Sequence, residues 1–427
     1  MSQRAVSQRA VSECEMSDRP DAMSRRSLLK RSGGVALAVA AAQVVRAPAA
    51  AAVPATDRFV QVFLRGGMDA LNAVAPVADP AYAAARPGIA VPAGAFLPLD
   101  STFGLHPALA ALLPMWAAGE LAFVHAVGNP LGDRSHFEAQ DAVDCGVPIS
   151  SSVRTGWLAR HLTARGQTPA ALRAVGIGET QNMSLQGQRN AVTIRALSKF
   201  KVHVGDGDRV AYERAIRQLH TGFGHPLASN GIATLSALGE VRGLNQPQYA
   251  TLPTAEYPDS NFGKALRNIA QCAKGPVGFE AATVDIGGWD HHTDMGDHIN
   301  GELARKLADL ATALSALRTD LGPLWAETTV VVVSEFGRRV EENGDGGVDH
   351  GNGGLMMVLG GGVRGGKIYG NWRGVHTSVL DHGDLPVTTD WRNVYAEIVS
   401  SRLGNGNNLG AVFPGLKPSF LGLANAR

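Results

Sequence analysis

Cysteine is scarce in this 427-residue chain: Cys14, Cys145 and Cys272 are all it has. That is too few for a disulfide framework, and the three lack the paired spacing of a thiolate zinc site. An excess of one charge is missing too. With 39 Lys and Arg against 38 Asp and Glu, the chain has no basic field of the kind that nucleic-acid binding needs. No apolar run reaches the roughly 20 residues that span a bilayer, so the reading excludes nucleic acid as a partner and a membrane span in the mature form. Familiar nucleotide and hydrolase signatures are absent as well. There is no G-x-S-x-G elbow and no G-x-G-x-x-G after the first strand. Gly361 to Lys367 comes close to a phosphate loop, but Ile368 stands where Ser or Thr would hold Mg²⁺. Tyr369-Gly370 then points to a hairpin instead of a helix.

What the chain does have begins with a leader. Arg25-Arg26 is followed by Leu28-Leu29-Lys30, a Gly/Ala-rich, moderately apolar stretch over residues 32–45, and the small-residue run 47–52. This charged, apolar, small-residue order predicts a twin-arginine export signal. It implies the twin-arginine translocase as an export partner and a periplasmic or extracellular location. Upstream, Gln3-Arg-Ala-Val-Ser repeats from Gln8, so residues 1–22 read as a disordered extension, with Met23 as an alternative start. Residues 1–52 then form extension plus signal, and 53–427 the mature region. Its two cysteines, Cys145 and Cys272, either pair or stay as buried thiols.

Along the mature region, strand signals fall at residues 59–64, 121–127, 174–177, 281–285, 328–333 and 355–359. Helices are expected over 106–116, from about 135, from about 299 to 321, and over 391–403 with Asp390 as cap. Amphipathic stretches lie near 208–220 and 261–273. Leu303, Leu307, Leu310, Leu314 and Leu317 recur at helical spacing and read as a core stripe. The alternation predicts an α/β fold, doubly wound, with a largely parallel sheet flanked by helices. Residues 150–275 are less regular and are expected to be an insertion or cap.

Polar residues gather where strands end. The first strand leads to Asp69 and Asn72, and the second to Asp133-Arg134-Ser135-His136. The third gives Asp285 and then Trp289-Asp290-His291-His292. The fourth gives Ser334-Glu335, followed by Asp349-His350-Gly351. In open α/β sheets ligands bind beyond the carboxyl ends of the strands, so these groups can converge. Carboxylates and imidazoles are ligands for divalent ions, and Asp290 and His292, two apart on an extended loop, can face one site. His106 before Pro107 reads as a helix-start residue, and His125 as a core or near-site histidine.

The leader, Leu64-Arg-Gly-Gly-Met-Asp-Ala-Leu-Asn72, Gly104-Leu-His-Pro-Ala-Leu109, Arg134-Ser-His-Phe-Glu-Ala-Gln140, Gly288-Trp-Asp-His-His292, Ser334-Glu-Phe-Gly-Arg338 and Asp349-His-Gly351 occur in one order. In this the chain resembles an exported bacterial family, the domain of unknown function numbered fifteen-oh-one, itself similar to the alkaline phosphatase and sulfatase superfamily. The resemblance covers essentially the whole mature region and implies a single alkaline phosphatase-like domain. It implies metal ligands at Asp69, Asp285 or Asp290, His292, Glu335, Asp349 and His350. It also implies a nucleophile at Ser135, with Arg134 as an anion clamp and His136 beside them in catalysis. Phe336 departs from the pattern, standing where that superfamily has a ligand histidine.

The expected function is therefore a metal-dependent hydrolase of a phosphate or sulfate ester, with a divalent ion (Zn, Mn, Mg or Ca) and a small anionic ester or glycan as substrate. The alternative is a non-catalytic binding or assembly protein on the same fold. An oxidoreductase is a third reading, suggested only by the export route.

Overall fold

The structure is a computed structural model that describes residues 57–427 except 133, 167, 169, 189, 190, 202–207 and 222–227. The expected export signal and cleavage region, Cys14, the expected extension at 1–22 and Asp133 lie outside the described residues.

Short apolar runs rich in Val, Ala and Phe form the strands because such side chains fit a pleated, buried surface. In chain order they are β1 (Arg58–Leu64), β2 (Leu121–Gly128), β3 (Ala174–Ile177), β4 (Ala191–Ile194), β5 (Ala281–Ile286), β6 (Thr328–Val333), β7 (Gly354–Leu359), β8 (Lys367–Tyr369) and β9 (Thr389–Asp390). They make one sheet in the order β8-β2-β7-β6-β1-β5-β3-β4, with β9 also paired to β2. β7 is antiparallel to both neighbours, whereas the other pairings of this sheet are parallel. The architecture is thus a mixed, mostly parallel sheet with flanking helices, of α/β class.

The main helices are α1 (His136–Cys145), α2 (Trp157–Ala164), α3 (Asn261–Lys274), α4 (Glu302–Leu321) and α5 (Trp391–Ser401). The sheet's two faces bury different sets. Val60, Val62 and Leu64 of β1 share a core with α3 and α4. Phe59 and Phe63, on the alternate face, share one with α2 and α5, centred on Trp157 and Tyr395. The leucine stripe of α4 is buried throughout, each side chain stabilising the fold by about 1.5–3 kcal/mol. α4 starts at Glu302, not near Ile299. The Asp297 carboxylate takes the amides of Ile299 and Asn300 and holds that segment as a turn ahead of the helix. Asp390 caps α5 through the Arg392 amide.

Two expectations change in detail. The strand at Lys367–Tyr369 is not in a hairpin; it runs parallel to β2. The less regular region 150–275 contributes β3 and β4 to the sheet, together with helices Arg209–Thr221, Ala228–Leu244 and α3. Among the described residues Cys145 and Cys272 are both buried and form no disulfide. Among the described residues no helix is long and apolar enough to cross a membrane.

Candidate functional site

Because β1, β2, β5 and β6 point the same way, the segments that follow them meet at one edge of the sheet. The antiparallel course of β7 matters here. The chain leaves β6 at that edge, loops through residues 334–353, and enters β7 at the same edge, so Glu335 and His350 come from one excursion.

The excursion is fixed at its base. Ser334 Oγ donates to Leu64 O (2.6 Å) and accepts from Met68 N (2.9 Å), tying the ends of β6 and β1 together. Glu335 is 2% exposed. Its Oε1 accepts from Gly66 N (2.8 Å), His136 Nδ1 (2.7 Å) and Gln140 Nε2 (2.8 Å). Burial pushes this carboxyl up, but hydrogen bonds from Gln140, its own backbone, His136 and Gly66 prevail and hold it below the usual range. It is therefore an anion, and His136 must carry its proton on Nδ1.

Arg338 binds three segments at once. Fully buried, it donates to the carbonyls of Gly66, Gly67 (2.5 Å), Val348 (3.0 Å) and Trp289 (3.3 Å), and to Asp290 Oδ1 (2.5 Å). The approach is possible because Gly66, at φ +124°, has no side chain; a Cβ there would lie 2.7 Å from Asp290 N. Burial raises the Asp290 carboxyl, yet the Arg338 guanidinium bonded to it brings it down to about 2.

Around Asp290 stand three imidazoles. His136 Nε2 lies 3.4 Å from Asp290 Oδ2, while His292 Nε2 and His350 Nε2 lie 3.0 and 3.2 Å from Oδ1. In each ring the other nitrogen faces a group that can only accept: Glu335 Oε1, Asp349 Oδ1 (3.1 Å) or the Arg134 carbonyl (2.8 Å). Asp349 is itself held below the usual range by hydrogen bonds from Asn343 and His292. All three rings thus present Nε2 lone pairs inward. His292 Nε2 and His350 Nε2 are 2.9 Å apart, and His136 Nε2 is buried without a hydrogen-bond partner among the described residues. Ligand atoms of His136, Asp290 and His350 all lie within 4.8 Å of one another. Lone pairs facing each other and a carboxylate repel unless a proton or a cation sits among them, and imidazole with carboxylate suits a divalent ion. The residues present therefore fit such a group.

The structure sorts the expected site residues into three sets. Asp290, His292, His350 and His136 converge. Glu335 and Asp349 stand behind histidines, as orienting carboxylates do in metal sites. Asp69 and Asp285 are engaged elsewhere. Asp69 pairs with buried Arg86 at 2.6 Å, and Asp285 pairs with Arg65 (3.0 Å) and Asn182 (2.8 Å). Ser135 occupies the cap position of α1. Arg134 is exposed, with its guanidinium on buried Asp384 at 2.5 Å. Phe336 is buried, its ring 4.8 Å from those of His136 and His350, so an apolar wall stands where the superfamily resemblance implied a ligand histidine. Sequence reasoning missed Gln140, Arg338, Asn343 and Asp384. Gln140 was findable, since it lies one helical turn from His136 on the same face.

These features define an α/β protein with a histidine–carboxylate cluster at the carboxyl edge of its sheet. The chain belongs to the family described as Protein of unknown function (DUF1501), whose model matches residues 135–390, more than half of the chain and most of the loops just described. No curated protein matches it.

Proposed function

We propose that this chain is an exported hydrolase of phosphate or sulfate esters, built on an alkaline phosphatase-like fold and dependent on a divalent cation held by His136, Asp290, His292 and His350. The observation that carries the reading is the convergence of three Nε2 lone pairs on Asp290, each ring fixed by an acceptor at Nδ1. A cation there supplies charge neutralisation for an anionic ester. Ser135, at the positive end of α1, is the nucleophile toward phosphorus or sulfur. Glu335 and Asp349 keep the rings in one tautomer. The twin-arginine leader fits this reading, because folding before export lets a site of carboxylates and imidazoles take its metal in the cytoplasm, where availability decides selectivity.

The test is elemental analysis of the exported protein, followed by a panel of phosphate, sulfate and phosphonate esters. About one tightly held divalent ion per chain is expected, lost in Asp290→Ala and His350→Ala, with turnover lost in Ser135→Ala. Protein that stays metal-free after soaking sinks the proposal. One observation favours a second reading, a binding protein without turnover: Arg134, the expected anion clamp, is tied to Asp384. Metal-loaded protein inert toward the whole panel would support that reading instead.

A further inference from the structure

A cavity of about 300 Å³ opens at the same carboxyl edge, over β3 and β5. It sits at the lower end of the size range of small-molecule pockets, and the cation cluster does not use it. Gly176, Thr283, Asp285, Thr180 and Asn182 line it, with Glu179 beside them.

Thr283 and Gly176, which line it, belong to one row across the sheet. Gln61, Thr283, Gly176 and Thr193 stand side by side in register on β1, β5, β3 and β4. A polar row in a sheet of mostly apolar strands needs a reason. Gly176 lies inside a strand, where glycine weakens pairing and marks close approach of another group; a Cβ there would come within 3.2 Å of Thr193 Oγ1 and 3.6 Å of Thr283 Oγ1. Thr283 is 1% exposed, and its hydroxyl has no hydrogen-bond partner among the described residues. A buried hydroxyl left without a partner costs about 1–3 kcal/mol, a cost that a ligand in the cavity would remove.

The charges on the lining select the ligand. Glu179 is paired with Arg195 at 3.1 Å and Asp285 with Arg65 at 3.0 Å, so neither carboxylate is left to balance a cation. Both keep free lone pairs, which repel an anion and accept from hydroxyls. The Thr283 hydroxyl donates and accepts.

We propose that this cavity binds a neutral polyhydroxylated group, one sugar unit in size. Arg65 links it to the cluster: it bridges Asp285 and, through Nη1, Gln140 Oε1 at 3.2 Å, and Gln140 donates to the Glu335 oxygen that holds His136. An ester carried on a glycan would thus seat its sugar here with its anionic group toward Asp290. That last link rests on the hydrolase reading; the cavity's preference does not.

The test is calorimetric titration of the full protein with methyl glycosides of glucose, galactose and mannose, with glucuronate and glucosamine as charged controls. At least one neutral glycoside should bind in the millimolar range or tighter. Thr283→Val, which keeps the shape and removes the hydroxyl, should weaken it about tenfold, and Gly176→Val should abolish it, both with metal content unchanged. Binding of the charged controls alone, binding indifferent to Thr283→Val, or no glycoside binding by folded protein would overturn the proposal. Ester turnover is read separately, so a protein that binds sugar but cleaves nothing fails the hydrolase reading and keeps this one.

Discussion

At the scale of single residues, the site depends on two groups that would touch no substrate. Glu335 spends its charge on Gly66, Gln140 and His136, and the last of these fixes which nitrogen of His136 faces Asp290. Glu335→Gln keeps the shape and removes the charge, and its amide nitrogen can present hydrogens where the carboxylate only accepted. On the proposed metal-dependent reading, the expected outcome is a cation affinity lower by about 10–100-fold, the usual cost of losing an orienting partner, read by competition with a graded chelator. Unchanged retention would mean that His136 is not a ligand. Arg338 is the second such group. A lysine can carry the charge but not the fork that reaches the Gly66 and Gly67 carbonyls and Asp290 together. Arg338→Lys should destabilise the fold by about 2 kcal/mol or more, measured by urea unfolding, and should loosen the cation as well, because Asp290 loses its anchor.

At the scale of elements, the excursion between β6 and β7 is the part on which the site turns. Its two limbs run so close that a Cβ on Gly337 would lie 1.9 Å from Gly353 O, and one on Gly351 would lie 2.5 Å from the Arg338 carbonyl carbon. Both obstacles are backbone, which cannot rotate away. Gly337→Ala is therefore expected to push the limbs apart, moving Glu335 and His350 relative to each other. Loss of bound cation with a melting temperature lowered by several degrees is the expected result; wild-type cation content would show that the excursion does not set the site. This element also marks where sequence reading stops. The β-branched run at residues 328–333 and the apolar run at 355–359 declare themselves as strands, and Glu335, Asp349 and His350 as candidates. Nothing in local pattern says that β7 runs antiparallel or that Arg338 gathers carbonyls from three segments, because those facts depend on which distant chains become neighbours. The same limit explains Asp69 and Asp285. Both stand at strand ends as expected, and only the fold reveals that Arg86 and Arg65 occupy them.

At the scale of the whole molecule, stability carries a pH dependence that originates away from the site. The alternation of strands and helices was enough to anticipate an α/β sheet, and His106 and His125 were readable as a helix-start and a core histidine. With His161 they are buried, and each accepts a hydrogen bond at Nδ1: from Ala108 N (3.1 Å), Ala126 N (3.0 Å) and Asn405 Nδ2 (3.0 Å). Protonation there would replace an accepted bond with a clash of hydrogens in a site that already disfavours charge. Burial accordingly lowers His106 and His125 to about 4 and His161 to about 3. In the unfolded chain each titrates near 6.5. Between those values the unfolded state binds protons that the folded state refuses, so stability is full above about pH 6.5 and falls as the pH drops toward 4, with a limiting slope of about 1.4 kcal/mol per pH unit for each histidine. Urea midpoints at pH 7.5, 6 and 5 should therefore decline steadily. His161→Gln, which keeps an acceptor for Asn405 but cannot take up a proton in the unfolded chain, should flatten that decline even where it lowers the midpoint at neutral pH. A decline as steep in the variant as in the parent would place the acid sensitivity outside His161.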